Sequence, residues 1–428
     1  MTVMKLFFVA LTIRFFLVAS SLLADDSISE ILTHATVSGD VRYQYIIKDN
    51  DVVGGDAKGS AIGGNLGIQT TSFYGFSLGA MAYTTNRVTG SDNPFIVESK
   101  KLTNTHLLDG NSSYTIVGQA YIQYKNKDST LKMGRQYLDT PFIGADYSRI
   151  IPNLFEAYIF TNSTINDTKI TLGHVAKMAG WDSLSGDITK FVPMTQAAGI
   201  TFSQNGVAQY NRGVSLASII YSGIVGTVLE AWYYKAHDLV DIYYIEGMHT
   251  TKIDSLGLKF AAQYWHINSC SKYDQWASGT EDEQINYSVY GIMSEVNMYD
   301  TSIIVAYHDM NMRKNLPAIH GIWGSYPEYV FAQESFVTNY NISGVNAIKV
   351  GIIYNSDFGE FGAHYVIFNS HDEALENSQN VLDLIYSHKI KSFKNLEVSL
   401  VYESARVNSD SDANKDYDFY KASLTYTF

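Results

Sequence analysis

The stretch 417–428 has the sequence YDFYKASLTYTF, and from Tyr420 to its end it alternates between two kinds of side chain. One set of alternate positions is apolar or aromatic, and the positions between them are polar. The first set is Tyr420, Ala422, Leu424, Tyr426 and Phe428, and the second is Lys421, Ser423, Thr425 and Thr427. Because successive side chains of a β-strand point to opposite faces, this pattern predicts a strand with one face in an apolar environment and the other in water.

The same alternation recurs along the chain from residue 36 onward. In an early example, Val41, Tyr43 and Tyr45 oppose Arg42 and Gln44. We therefore expect an all-β chain of about 18 antiparallel strands, each of roughly ten residues. They are expected near 36–47, 61–71, 75–84, 114–125, 130–136, 154–162, 167–175, 211–221, 225–236, 239–248, 255–266, 286–296, 300–308, 345–355, 360–369, 380–389, 395–404 and 417–428.

The connections between these segments alternate in length. Short ones lie at 72–74, 126–129, 163–166, 222–224, 297–299 and 356–359, and long ones at 85–113, 137–153, 176–210, 267–285 and 309–344. A soluble β-sandwich also alternates in polarity, but this rhythm is typical of a transmembrane up-and-down barrel with small periplasmic turns and large external loops. The connection near 237–238 is an exception, because it is very short although its place in the rhythm is that of an external loop. We do not count Ala198–Phe202 as a strand, because an additional strand would make the number of strands odd.

Two further features favour a barrel in the outer membrane. After the N-terminal segment, no stretch approaches the about 20 apolar residues that a spanning helix needs, and a closed barrel is the alternative that satisfies every backbone group in lipid. A final alternating strand that ends on an aromatic residue, here Phe428, resembles the C-terminal signature of outer-membrane barrels. The cell outer membrane is therefore the expected location.

Composition and the N-terminus agree with an exported protein. Lys5, the apolar run 6–13 and the small residues before Asp25 read as a signal peptide over residues 1–24, which leaves 25–428 as a single outer-membrane barrel domain. Its removal takes away two positive charges and moves the formal net charge from −13 to −15, so no nucleic-acid partner is expected. The single cysteine, Cys270, cannot form an internal disulfide.

The most distinctive stretch runs from the fifth expected strand into the connection that follows it. It reads KMGRQYLDTPF over 132–142, DYSR over 146–149 and PNLFEA over 152–157. This series resembles the OprD family of outer-membrane porins, which carries Gly-Arg-Gln, Thr-Pro, Asp-x-x-Arg, Pro-Asn and Phe-Glu-Ala in this order. The resemblance implies an 18-stranded barrel whose third and seventh loops, here within 137–153 and 309–344, fold inward. It also implies small solutes, often carboxylates or amino acids, that pass a ladder of basic side chains.

The residues of this stretch agree with an inward loop. Pro141 and Pro152 remove backbone donors, so the segment cannot be a central strand. We expect the charged residues Arg135, Asp139, Asp146 and Arg149 to form a pore constriction, where opposite charges would create a transverse field. An equally weighted alternative is that Arg149 and Asp146 form an ion pair that holds the loop against the wall.

The direction of the Arg135 side chain needs a separate argument. Strict alternation from Leu131 and Met133 would point its side chain at lipid, which is costly at mid-membrane. We favour an inward direction, produced by a bulge at Gly134 or by the end of the strand.

Other charged residues fall on the polar faces of the expected strands. As pore-lining wall residues we expect Arg42, Lys132, Glu156, Lys169, Lys259, Lys349 and Lys421. For any one of them, a solvated side chain with no role in selectivity is the simpler interpretation. Acids are as numerous on these faces, with Asp40, Glu230, Asp383, Glu397 and Glu403 among them, so strong attraction of anions is not expected.

The function expected from these observations is passive diffusion of small polar solutes through an outer-membrane porin, with or without selectivity for a class of substrate. The alternative is a plugged barrel that acts as an adhesin or surface scaffold. No enzyme is expected, because neither a Gly-x-Ser-x-Gly nor a His-Glu-x-x-His pattern occurs. No cofactor or metal is expected either, since the acidic run at 410–416 lacks the glycine and glutamate of a calcium loop. Expected partners are outer-membrane lipid, lipopolysaccharide and the solutes, with the chain a homotrimer or a monomer.

Overall fold

A computed structural model of the chain describes residues 33–50, 57–88, 107–108, 112–183, 187–198, 212–270, 285–311, 323–324, 331–332, 345–370, 378–408 and 416–428. The expected signal peptide, nearly all of the acidic run 410–416 and most of the connection 309–344 lie outside these residues. No helix in the described part of the chain is long and apolar enough to cross a membrane.

The described residues are mostly strand. In chain order the strands are β1 (Thr36–Asn50), β2 (Ala57–Gln69), β3 (Phe76–Arg87), β4 (Tyr114–Lys125), β5 (Ser129–Gln136), β6 (Asp139–Thr140), β7 (Ile143–Gly144), β8 (Leu154–Asn162), β9 (Thr168–Ala179), β10 (Val192–Pro193), β11 (Val214–Ile224), β12 (Thr227–Ala236), β13 (Val240–Ile253), β14 (Leu256–Ser269), β15 (Asn286–Met298), β16 (Thr301–Asn311), β17 (Val345–Ser356), β18 (Gly359–Ser370), β19 (Ser378–Lys389), β20 (Leu396–Asn408) and β21 (Tyr417–Thr427). A four-residue helix, α1 (Met194–Ala197), follows β10.

Eighteen of these strands form a closed antiparallel barrel. The main sheet has 19 strands, of which β10 is a two-residue addition paired with the end of β9. Each long strand pairs with its neighbours in sequence, and β1 also pairs with β21 from Asp40↔Thr427 to Asn50↔Tyr417. That last pairing removes the sheet edges. The predicted number, position and antiparallel arrangement of the strands are therefore confirmed.

The outside of the barrel is apolar, as the alternation predicts. Large apolar side chains at alternate strand positions are exposed, including Leu66, Ile292 and Leu424. In β21 the predicted apolar face is the outer one, and between its exposed members Ser423 is turned inward and buried. The outer faces of these strands therefore suit lipid.

Long connections enter the inside of the barrel. Residues 137–153, which we call the inward loop, join β5 to β8 and contain the short pair β6 and β7. Two apolar clusters form where this loop meets the inner wall, one around Phe142 and the other around Ile150. Ala198, at the start of the segment left out as a strand, lies in a turn after α1, and the rest of that segment is not described.

Candidate pore constriction

The inward loop begins with a tight hairpin. Asp139 and Thr140 pair with Gly144 and Ile143, and the Thr140 hydroxyl donates to the Ile143 carbonyl at 3.0 Å. Pro141 lies at the turn, where its missing N–H has no ladder partner to satisfy. The hairpin presents Phe142 at its tip as a rigid apolar group.

This tip packs on the far wall of the barrel. The Phe142 ring lies edge-on to three aromatic rings from adjacent strands, with centroid distances of 5.6 Å to Tyr234, 6.1 Å to Tyr244 and 5.3 Å to Trp265. All four side chains are buried. Edge-to-face rings at these distances attract each other beyond the effect of burial, so the tip is attached to β12, β13 and β14.

The other end of the loop lies against the near wall, formed by β21, β1 and β2. Arg42 donates from Nη1 to the carbonyl oxygens of Tyr147 and Arg149, both at 3.1 Å. Gln44 donates to the Ser148 carbonyl at 3.1 Å, and Lys421 donates to the same oxygen. Three consecutive loop carbonyls are thus held by side chains of the wall, and the loop crosses the lumen from wall to wall.

Tyr147 adds a second attachment. Its hydroxyl donates to Asp40 at 2.8 Å, and Asn65 donates to the same carboxylate oxygen at 2.7 Å. The guanidinium carbon of Arg42 lies 3.8 Å from the centre of the Tyr147 ring, and its Nε is 3.1 Å from Asp40. Asp40 is therefore neutralised and fixed by Arg42 while it holds the tyrosine.

A glycine in the wall makes room for the loop. A Cβ at Gly63 would lie 2.8 Å from Cγ2 of Ile150 and closer still to the Thr84 carbonyl oxygen. We expect Gly63→Ala to destabilise the folded barrel by about 1–3 kcal/mol, the usual effect of overpacking. Gly362→Ala, where the nearest atom is Ile385 Cβ at 3.5 Å, is the control. Thermal unfolding of both variants in detergent measures the difference, and equal stabilities would contradict the assigned contact.

The charged centre of the loop is Arg149. Its guanidinium pairs with Asp146 and lies 3.9 Å from Asp182, which follows β9. Asn153, the last residue of the inward loop, donates to Asp182 at 2.6 Å, so this carboxylate contacts the loop at two places. Burial lowers the pKa of Arg149, while Asp182 acts in the opposite direction. The predicted Arg149–Asp146 ion pair is therefore present, and Asp182 is a further partner that the sequence does not indicate.

The closed barrel and the sequence of this chain were compared with known proteins. The family model for the outer membrane porin, OprD family, matches residues 69–428. The chain belongs to the OprD family of outer-membrane porins.

Solved structures of porins share this fold. Pseudomonas aeruginosa OpdO has a TM-score of 0.73 at 13% identity, covering 94% of this chain and 99% of its own. Acinetobacter baumannii OccAB1 has a TM-score of 0.73 at 12% identity, with 92% and 96% covered. P. aeruginosa OpdK, solved with vanillate, has a TM-score of 0.72 at 14% identity, with 92% and 99% covered. No curated protein sequence matches the chain.

Membership in this family gives the cellular location of the barrel and its orientation in the membrane. OprD-family porins are outer-membrane barrels, so the short turns of this chain face the periplasm and the long connections face outward. The resemblance also implies an inward seventh loop, for which Trp323 gives evidence. The Trp323 carbonyl accepts from the Gly144 amide at 3.1 Å, and its indole donates to the Met194 carbonyl at 3.1 Å. Trp323 is buried against the tip of the inward loop.

Arg135 and Glu156 are placed differently from the expectation. Gly134 has a positive φ of 120°, but the pairing of β5 with β4 and β8 runs through it without a register shift. Arg135 lies opposite Glu156, whose neighbours Phe155 and Ala157 pack in the cluster around Phe142. Since strand positions alternate, both charged residues share the face turned away from the inward loop.

Both residues have contacts of their own. The Arg135 guanidinium donates to the Val117 carbonyl at 3.2 Å and lies 4.4 Å from the Phe191 ring. Glu156 pairs with Lys177 at 3.4 Å. The structure does not bring either residue to Arg149, because the strand keeps its register where a bulge was expected.

The remaining wall residues lie on inner positions. Lys132 has its ammonium 3.8 Å from the centre of the Tyr121 ring, and Lys259 pairs with Glu295 at 3.6 Å. Lys349 lies opposite the buried residues Ala306 and Val366, and Lys169 lies opposite Ile220, which packs against the cluster around Phe142. These cations are distributed around the wall, and several have an acid or a ring as a partner.

Asp139 lies on the exposed side of the loop hairpin. Although the residue is exposed overall, partial desolvation of its carboxyl group raises its pKa. A raised pKa means that the negative charge is lost at a higher pH than for an ordinary aspartate. We expect cation permeability to fall as the pH is lowered through this raised value. Reversal potentials measured as a function of pH test this expectation, with Asp139→Asn as the variant that should give a flat profile over the same range.

Proposed function

We propose that this porin is a passive, substrate-selective diffusion channel for small polar solutes such as carboxylates or amino acids. The observation that carries the proposal is the inward loop, which crosses the lumen between two walls and brings Arg149, Asp146 and Asp182 into it. Solutes then pass a constriction beside this loop, where fixed charges of both signs interact with their charges and dipoles.

The proposed selectivity is moderate because charges of opposite sign lie beside each other. Arg149 is matched by Asp146 and Asp182, and Arg42 is matched by Asp40. A field between neighbouring opposite charges orients a dipolar or zwitterionic solute without concentrating anions. We therefore propose a constriction of Arg149, Asp146, Asp182 and Asp139, with Lys132 and Lys259 on the wall, and leave Arg135 and Glu156 out of it.

Planar-bilayer recording of the purified, refolded porin tests the channel. We expect discrete conductance steps and a reversal potential close to zero across a salt gradient. In liposome swelling, amino acids, which are zwitterions, should enter faster than neutral sugars of the same size, and small carboxylates should also enter. A protein that inserts but never conducts would contradict the proposal.

A plugged barrel that serves as an adhesin or surface scaffold is the second candidate. The wall-to-wall apolar packing of Phe142 against Tyr234, Tyr244 and Trp265 favours it, since a dry cluster inside the barrel leaves less room for water. The same swelling assay separates the two functions, because a plugged barrel gives no swelling with any solute.

We also propose that residues 1–24 are removed as a signal peptide, which leaves a mature barrel of 25–428. Intact-mass measurement of protein purified from outer membranes would give the mature N-terminus. The same preparation, cross-linked before solubilisation, would distinguish a trimer from a monomer and would reveal lipopolysaccharide that copurifies.

A further inference from the structure

Three wall residues of this porin hold the backbone of the inward loop. We propose that Arg42, Gln44 and Lys421 are positioning residues that set the width of the constriction, and that they do not form part of a ladder that contacts solutes. The proposal rests on the proposed channel function, because its main readout is the passage of solutes. It reverses the role that the family resemblance gives to two of the wall cations.

The geometry fits a latch for an irregular segment. The carbonyl oxygens of residues 147, 148 and 149 lie in a loop without ladder partners, and buried carbonyls need donors. Arg42 supplies two hydrogen bonds, while Gln44 and Lys421 share the middle oxygen. The donors come from the adjacent strands β1 and β21, so this part of the loop follows the wall.

Arg42 has little capacity left for a solute. Its donors are directed at two loop carbonyls and at Asp40, its flat face covers the Tyr147 ring, and its side chain is 10% exposed. By contrast, Lys259 is 29% exposed and pairs with Glu295 at 3.6 Å. A solute carboxylate could bind Arg42 by displacing the loop, whereas it could reach Lys259 directly.

Asp40 completes the latch. It accepts from Tyr147 and Asn65 and pairs with Arg42, which fixes the direction of the guanidinium toward the loop. Five wall side chains therefore act on one loop segment of three residues, since Asn65 also donates to the Tyr147 hydroxyl at 2.7 Å. The position of this segment, and with it the free width beside it, depends on these contacts together with the attachment of Phe142 on the far wall.

Gln44 gives the sharpest test because it is uncharged. A charge ladder gives Gln44 no role, whereas a latch requires its donor. We expect Gln44→Ala and Arg42→Ala each to raise the rate of liposome swelling with neutral trisaccharides by about twofold or more, since neutral solutes respond to width and not to charge. Single-channel conductance should rise in parallel, and Arg42→Lys, which keeps one donor, should give a smaller increase.

The matched control is Arg406→Ala. Arg406 also makes a bidentate pair, with Asp418 at 3.0 and 3.1 Å, but its neighbour Ala405 is buried on the inner side, so Arg406 lies on the outer face. We expect no change in trisaccharide entry for this variant. Circular dichroism of each variant checks that the barrel is folded.

Two results would overturn the latch. One is unchanged trisaccharide exclusion in Gln44→Ala and Arg42→Ala together with slower carboxylate entry in Arg42→Ala, which is the pattern of a ladder. If the wild-type protein does not conduct, the channel function is refuted by itself, and the latch is then tested by backbone hydrogen exchange. The second overturning result is exchange in Gln44→Ala and Arg42→Ala that is no faster than in the wild type. Hydrogen–deuterium exchange of a peptide spanning 144–151 then decides, since the latch requires faster exchange in Gln44→Ala and Arg42→Ala than in the wild type and in Arg406→Ala.

Discussion

Phe142→Ala is expected to widen the channel and to increase its single-channel conductance by about twofold or more. The tip of the inward loop is attached to the far wall through ring contacts of Phe142 with Tyr234, Tyr244 and Trp265. Truncation of a buried phenylalanine typically destabilises by about 3–5 kcal/mol. Because the barrel hydrogen bonds are untouched, we expect most of this loss to appear as local detachment of the tip.

The effect is measured by bilayer recording and by the exclusion limit for neutral sugars. Phe358→Ala is the control, since Phe358 lies in a short turn outside the barrel and is 78% exposed. The detached tip should also make conductance noisier, with substates that the wild type lacks. A Phe142→Ala channel with wild-type conductance and exclusion would show that the tip does not limit the pore.

The barrel of this porin could be predicted from its sequence because its signal is local. A two-residue alternation is visible within ten residues, and it reflects the two media on the two sides of each strand. β21 illustrates this, since the faces expected from Tyr420 and Lys421 are the outer and inner faces in the structure. The pairing of neighbouring strands follows from the short turns, and the closure of β1 with β21 follows from the need to remove edges in lipid.

The constriction could be predicted only in part because its contacts are not local. A motif of neighbouring residues could predict the loop and the pair of Arg149 with Asp146, which are three residues apart. Asp182, which belongs to the same charge cluster, lies in the segment that follows β9. Gln44 and Asp40 meet the loop across more than a hundred residues. No alternation pattern shows which inward side chain of a wall lies under which part of a loop.

The direction of the Arg135 side chain could not be predicted from the free-energy cost of placing an arginine in lipid. The expectation of an inward side chain rested on the cost of an arginine in lipid at mid-membrane. The residue lies near the external end of β5, where Phe191 and the Val117 carbonyl cover its guanidinium. At such a depth the cost is small, so the strand keeps its register and the side chain keeps the direction that strict alternation predicts.

The second large effect is expected for Arg149→Met. Arg149 is buried between Asp146 and Asp182, and its loss leaves two acids without their cation. Removal of one partner from a buried ion pair typically costs about 3–5 kcal/mol, and the partial exposure of both acids places the expected loss of stability at or below the lower end of this range. The unmatched negative charge should make the channel cation-selective, with the reversal potential moving toward the potassium equilibrium value.

Three variants separate charge from packing in this prediction. Arg149→Met with Asp146→Asn removes one acid together with the cation, so its selectivity should return toward that of the wild type. Arg212→Met is the matched control, because Arg212 also makes a two-atom contact with an acid, Asp238, but its side chain is 54% exposed. Exposed ion pairs contribute little to stability, so stability and selectivity should stay near those of the wild type. If Arg149→Met is as selective as Arg212→Met, the charges around Arg149 hold the loop in place without acting on the solutes that pass it.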